Sequence, residues 1–293
     1  MSLNQIARDD WQGLLAFAQE RVEAGDEVMA RRAATLASRV IPNEVPALIG
    51  LARIWKALGR VADAARVYQR ALSLDPASPE AVVDLAEVLH EAGRDAEALT
   101  YCERALELAP EQADLWATKG DALTELGRYD EALEAYEKAL SLGASSAGLY
   151  TSLGYVHYFR QDLDASLEAF RQALELTPDV DRLHNNVGYV HILRGELDDA
   201  VAHLERATSL NPRFARAWYN RGLAAWVRSE RDASMGFYNR GRAADPGDAD
   251  LRAHRDDLDE VARYQPDWAG ALQELMVFVT QMASRVRPRP GAR

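Results

Sequence analysis

Apolar residues recur along most of the chain at i, i+3, i+4 and i+7, the spacing of one face of an α-helix. The pattern is broken at regular intervals. Prolines stand at 42, 76, 110, 178, 212 and 246, separated by 34 residues or twice that, and Ala144 fills the skipped place. Gly25, Gly59, Gly93, Gly127 and Gly195 keep the same register. A period of this length marks stacked supersecondary units. Each unit is predicted to hold two helices. A left-handed glycine cap falls near position 15, and a proline at position 32 stops the second helix.

Other columns follow this numbering. Position 8 is small throughout: Ala18, Ala52, Ala86, Gly120, Gly154, Gly188 and Gly222. Position 20 is Ala30, Ala64, Ala98, Ala132, Ser166, Ala200 and Ser234. Position 24 is mostly large, with Tyr68, Cys102, Tyr136, Phe170, Leu204 and Tyr238 after Ala34 in the first unit. Small residues at 8 and 20 let two antiparallel helices approach, and bulk at 24 fills the space beside them.

In these columns the chain resembles the tetratricopeptide repeat family. The match is best over residues 113–146, with Trp116, Gly120, Gly127, Tyr129, Ala132, Tyr136 and Ala139 in place. The resemblance implies an all-α, right-handed superhelical solenoid of about seven 34-residue helix–turn–helix units. Their expected bounds are 11–44, 45–78, 79–112, 113–146, 147–180, 181–214 and 215–248, after a lead-in of residues 1–10. Arg21, Arg221 and Ser229 depart from the pattern in the first and last units, as terminal repeats do. A polar capping helix is expected at 249–263. An amphipathic helix is expected at 267–284, with Asp267 as its N-cap. A basic disordered tail is expected at 285–293, where four Arg and no acid occur.

A first helix that buries positions 4, 7, 8 and 11 turns positions 2, 5, 6, 9, 12 and 13 to its opposite side. The resemblance implies that this side lines a concave groove where an extended peptide or a partner helix binds. In the third and fourth units it carries Glu80, Asp84, Glu87 and Glu91, then Asp114, Asp121 and Glu125, an acidic wall. In the fifth to seventh units it carries Tyr155, Tyr158 and Phe159; then Arg182, Asn185, Asn186 and Tyr189; then Arg216, Tyr219, Asn220, Leu223 and Trp226. Aromatic residues and Arg concentrate at binding hot spots, and an exposed apolar surface of this extent needs a cover. The cover is a partner or the chain's own C-terminal helix. Asn186 and Asn220 both occupy position 6, where the resemblance implies a ladder gripping a peptide backbone. An amide can accept one hydrogen bond and donate two. Only Asn186 and Arg216, of the five positions of the family's carboxylate clamp, are matched here by type. A ligand of that class is not expected.

The formal net charge of −12 speaks against a general nucleic-acid binder. It is uneven, at −10 over residues 1–146 and −2 over residues 147–293. A single cysteine, Cys102, excludes an internal disulfide framework. Residues 1–12 lack the basic and apolar regions of a signal peptide, and no apolar run is long enough to span a membrane. A cytoplasmic protein is therefore expected.

His157, His184 and His191 lie at inward positions, where histidine is ordinarily a hydrogen-bonded core residue. The inward columns supply almost no carboxylate or Cys partners for a metal. No phosphate loop, nucleophile elbow or metalloprotease motif occurs. The expectation is a non-enzymatic adaptor without cofactor or metal, binding another protein through the fifth to seventh units. The alternative is a scaffold that self-assembles through Trp268, Leu272, Leu275, Met276 and Val279, which share one helical face.

Overall fold

The structure is a computed structural model that describes residues 3, 6, 7, 9–245 and 247–284; Pro246 and the expected tail lie outside the described residues. Among the described residues the regular structure is helical, and no strand occurs. The chain divides into two compact bodies, Met1–Ala144 and Ser145–Arg293. The first holds α1 (Trp11–Glu23), α2 (Glu27–Val40), α3 (Val45–Ala57), α4 (Val61–Leu74), α5 (Pro79–Glu91), α6 (Asp95–Leu108), α7 (Ala113–Glu125) and α8 (Tyr129–Ser141). The second holds α9 (Ala147–Phe159), α10 (Leu163–Leu176), α11 (Asp181–Arg194), α12 (Leu197–Leu210), α13 (Ala215–Val227), α14 (Arg231–Ala244), α15 (Ala249–Tyr264) and α16 (Ala269–Ser284). In each body, odd and even helices up to α14 pair as hairpins, and successive hairpins stack. The fold is a tetratricopeptide-type solenoid of helical hairpins. Among the described residues no helix is long and apolar enough to cross a membrane.

The hairpin turns follow the sequence closely. Gly25, Gly59, Gly93, Gly127 and Gly195 have φ between 66° and 81°. Gln161 and Ser229 stand at the same position in the fifth and seventh hairpins and adopt φ of 64° and 65°. The stacking register therefore imposes the left-handed turn even where the residue disfavours it.

Inside each hairpin the residue at position 24 lies against position 8. Tyr68, Tyr136 and Tyr238 are fully buried and Phe170 is 1% exposed. A Cβ placed on Gly120, Gly154 or Gly222 would come within 2.4–2.6 Å of the facing ring. Glycine there is a requirement of close approach. The buried hydroxyls are satisfied: Tyr68 donates to Asp84 at 3.0 Å and Tyr136 to Asp121 at 2.7 Å. Ser166 and Ser234 donate to the carbonyls of Gly154 and Gly222, at 2.8 and 2.7 Å. These serines keep position 20 small without leaving an unpaired hydroxyl.

The last hairpin, α13–α14, is closed by α15 and α16. Leu251, Leu258 and Val261 of α15 and Leu275 of α16 are at most fractionally exposed, and they join Leu223, Trp226 and Tyr238 in one cluster. Phe278 stacks on Trp226 with ring centroids 5.6 Å apart, and the Trp226 indole donates to the Ala271 carbonyl at 2.8 Å. Asp267 is not the N-cap of α16. It lies inside a 3-10 turn, Pro266–Trp268, and the helix begins two residues later. Pro266 fixes the turn, so the chain enters α16 through it.

The same substitution has opposite effects at two glycines. Gly154→Ala drives a methyl to 2.5 Å from the ring of Phe170, which Tyr155 holds edge-on at 5.4 Å. Overpacking of about 1–3 kcal/mol exceeds the gain of about 0.5–1 kcal/mol in helix preference, so the variant is less stable. Gly236, in α14, has no atom within 4 Å of an added Cβ, and Gly236→Ala should stabilise by about 0.5–1 kcal/mol. Urea denaturation of the two variants checks both signs.

Candidate functional site

The acidic wall is largely engaged within the chain. Arg53 of α3 bonds Asp84 at 2.8 Å, and Lys56 reaches Glu87 at 2.7 Å and Glu91 at 3.3 Å. Arg53 also lies 3.7 Å from Glu80. Asp84 and Asp121 accept the tyrosine hydroxyls described above. Asp114 and Glu125 lie on α7 of the next hairpin. Cations one repeat earlier thus neutralise much of what reads in sequence as a bare negative face.

The second body brings most of the expected partner-binding residues together on α9, α11 and α13, and α15 lies across part of them. Glu260 of α15 accepts hydrogen bonds from Tyr158 at 2.6 Å and Tyr189 at 2.7 Å. Burial, with the carboxylates of Glu260 and Asp257, pushes both phenols well above their ordinary pKa. Gln265, just after α15, donates to the Leu193 carbonyl at the end of α11 at 2.7 Å. Tyr219, Asn220 and Leu223 are at most 1% exposed and Trp226 is 8% exposed. The open face expected there is instead core, because α15 and α16 cover α13. The apolar face of α16 is likewise used inside the chain: Leu272, Leu275 and Val279 are buried, while Trp268 and Met276 pack partly buried against the same cluster.

The two position-6 asparagines do not form matching rungs. Asn220 donates to Oδ1 of Asn185 at 3.0 Å, and Asn185 is 4% exposed. Asn185 therefore turns inward between helices, contrary to the groove-facing position its number suggests. Asn186 is half-buried and donates to the Tyr155 hydroxyl at 2.8 Å. Tyr155, Phe159 and Arg182 remain exposed.

Between these groups lies a cavity of about 120 Å³, open to one side and lined by Tyr155, Tyr158, Phe170, Asn185, Asn186, Tyr189, Val190, Arg216, Asn220 and Asp257. Oδ1 of Asn220 is buried with no hydrogen-bond partner on the protein. A buried amide oxygen in that state costs about 1–3 kcal/mol. The cavity thus presents amide groups, phenols and a guanidinium. It suits a polar main-chain or side-chain group better than an apolar anchor. Asp257 and Glu260 belong to the non-repeating part of the chain, so no repeat column could have revealed them.

The histidines are grouped differently from the sequence expectation. His157 is half-buried on α9. His184 of α11 meets His203 of α12 with Nδ1 atoms 3.1 Å apart, and Nδ1 of His191 lies 2.6 Å from Glu196. Burial, reinforced by the two neighbouring imidazoles, lowers His203 to about 4. Carboxylates are therefore at hand, from the turn and from α12, where the inward columns alone show almost none.

The cap carries two groups of opposite acid response. His254 is fully buried beside the Tyr238 hydroxyl, 2.8 Å from its Nε2, and burial, with some help from Arg216, lowers it to about 3. The unfolded chain takes up that proton near 6.5, so acid below this value favours unfolding. Burial, with Glu260 and Asp256 adding and Arg216 opposing, pushes the Asp257 carboxyl up to about 6. Folded Asp257 thus holds a proton that the unfolded chain releases near 3.8, so acid between these values favours folding. Each slope reaches at most about 1.4 kcal/mol per pH unit. Relative to the parent, Asp257→Asn should lose stability faster from pH 6 to 4, and His254→Gln should lose it more slowly. Urea midpoints across that range test this, and identical pH profiles for all three proteins would refute it.

Family profiles described as tetratricopeptide repeat match residues 56–122 and 151–203, and one described as TPR repeat matches residues 120–159 and 188–226. No curated protein matches the sequence significantly. Among solved structures, a tetratricopeptide repeat protein from Parabacteroides merdae is 19% identical, with 87% of this chain and 98% of that chain covered and a TM-score of 0.62. PilF of Pseudomonas aeruginosa is 20% identical, covering 73% of this chain and 97% of its own, with a TM-score of 0.61. YrrB, described as a TPR protein with an unusual peptide-binding site, is 23% identical over 65% of this chain and 99% of its own, with a TM-score of 0.54. At these identities the likeness concerns the fold. With the 34-residue columns, the stacked hairpins and the profile matches in agreement, the chain belongs to the tetratricopeptide repeat family.

Proposed function

We propose that this chain is a non-enzymatic interaction scaffold that receives an extended segment of a partner protein along α9 and α11, at the edge left open by α15. The observation that carries this reading is the small open cavity at that edge, lined by Asn185, Asn186 and Asn220 together with Tyr155, Tyr189 and Arg216. An extended backbone entering the cavity meets amide, phenol and guanidinium groups with which its N–H and C=O groups can bond. Asn186 and Tyr155 stand at the mouth as an amide and phenol pair. Phe159 and Arg182, both exposed, extend the contact along the surface. Aromatic and Arg side chains are the residues from which strong contacts are usually built. The binding surface is thus narrower than the whole face of the fifth to seventh repeats, since α13 is committed to the cap.

A random peptide library selected against the full chain tests the proposal. Selected peptides should bind Asn186→Ala or Tyr155→Ala at least about tenfold more weakly, a loss of about 1.4 kcal/mol. Melting of these variants should stay close to the parent, because both side chains lie at the surface end of the cavity. Peptides that bind both variants as tightly as the parent would place the binding surface elsewhere.

A further inference from the structure

A cluster of donor side chains lies in the sixth hairpin. His184 and His191 come from α11, Glu196 from the turn, and Asp199 and His203 from α12. The Nδ1 atoms of His184 and His203 are 3.1 Å apart. Two nitrogens held at about 2.0–2.1 Å from one tetrahedral zinc ion stand about 3.3 Å apart. His191, Glu196 and Asp199 each offer a donor atom within 4.8 Å of the other two. The ring of His191 stacks on that of His203 with centroids 5.8 Å apart.

The tautomer of His184 follows from the repeat. His184 is at position 4, and its Nε2 lies 2.9 Å from the carbonyl of Pro178. Trp116 and Trp218 hold position 4 in the fourth and seventh hairpins. Their indole N–H groups donate to the carbonyls of Pro110 and Pro212 at the same 2.9 Å. The position thus calls for a ring N–H, and His184 meets it with Nε2–H. Its Nδ1 lone pair is left directed at His203. His191 is anchored in the same manner through Nδ1 on Glu196. A ring fixed through one nitrogen on a carbonyl or carboxylate is the usual state of a metal-ligating histidine. Glu196 also holds Arg194, at 2.9 Å, so its part is to orient His191.

We propose that His184 and His203 form a binding site for a divalent late transition-metal ion, with their two Nδ1 atoms as its protein ligands and water completing the shell. Imidazole donors suit zinc, nickel and copper above the hard cations. On binding, the hydrogen between the two rings moves to Nε2 of His203. Both imidazoles then remain neutral, and no proton is released. The ion ties the first turn of α11 to the middle of α12, so it would strengthen one repeat from within. The proposal is independent of the peptide-binding reading, which uses the other side of α11.

The test uses the full chain, stripped with chelator, and Zn²⁺ as probe in calorimetric titration. The expected result is saturable binding of one ion and a rise in melting temperature. His184→Gln and His203→Gln should each weaken binding about 10–100-fold, as loss of a metal-site partner does. Co²⁺ should give a visible absorption band that both variants lose. His90→Gln, in the third hairpin, should leave affinity unchanged. If circular dichroism shows that His203→Gln does not fold, the half-buried His184→Gln carries the comparison. Absence of saturable binding overturns the proposal. So does binding that survives in His184→Gln, which would indicate an adventitious ion only on surface carboxylates.

Discussion

The close approach of two helices within each hairpin is the constraint on which everything else rests. A ring or a branched side chain at position 24 fits only because position 8 carries no more than a methyl group, and the densely packed interior leaves no slack for an extra carbon. Once the pair is closed, the residues of the first helix are divided into an inner and an outer side. The left-handed turn is then forced, even at Gln161 and Ser229. The buried tyrosines add a second consequence. Their hydroxyls need acceptors, and Asp84 and Asp121 supply them from the outer side. Packing inside the hairpin thereby decides the state of charges on its surface.

The repeat architecture was legible in the sequence because each repeat poses the same packing problem and solves it with the same column of residues. The turns, the small position 8 and the buried position 24 could all be read by number. The outer side was only partly legible. Position arithmetic considers one helix at a time, so it treats Tyr219, Asn220, Leu223 and Trp226 as equivalent to Tyr155 and Phe159. The difference lies in α15 and α16, which occur once and leave no column. Leu251, Leu258 and Val261 were visible as a narrow apolar stripe, yet nothing in their spacing says that they meet α13. Glu260 gave no signal, since one acid among many on a polar helix reads as a solvated charge.

The asparagine pair shows the same limit at finer scale. Asn185 and Asn186 are neighbours in sequence and lie 100° apart on the helix. That angle separates a residue bonded inside the stack to Asn220 from one at the mouth of the cavity. The histidines fail in the opposite direction. Their own helix offers few partners, and the relevant ones arrive from the second helix and the turn, at distances that only the folded hairpin defines.

The bonds from Tyr158 and Tyr189 to Glu260 join residues 102 and 71 positions apart. In a plain repeat array each hairpin touches only its neighbours, so the array can open from an end one hairpin at a time. Here α15 spans α11 and α13 and reaches α9 through its carboxylate. The fifth, sixth and seventh hairpins thus share one element, and opening any of them also breaks bonds or contacts with α15. Ordering them together requires a long loop to close, a slower step than the zipping of adjacent hairpins. The second body therefore behaves less like a row of modules and more like a single globular domain assembled from repeats.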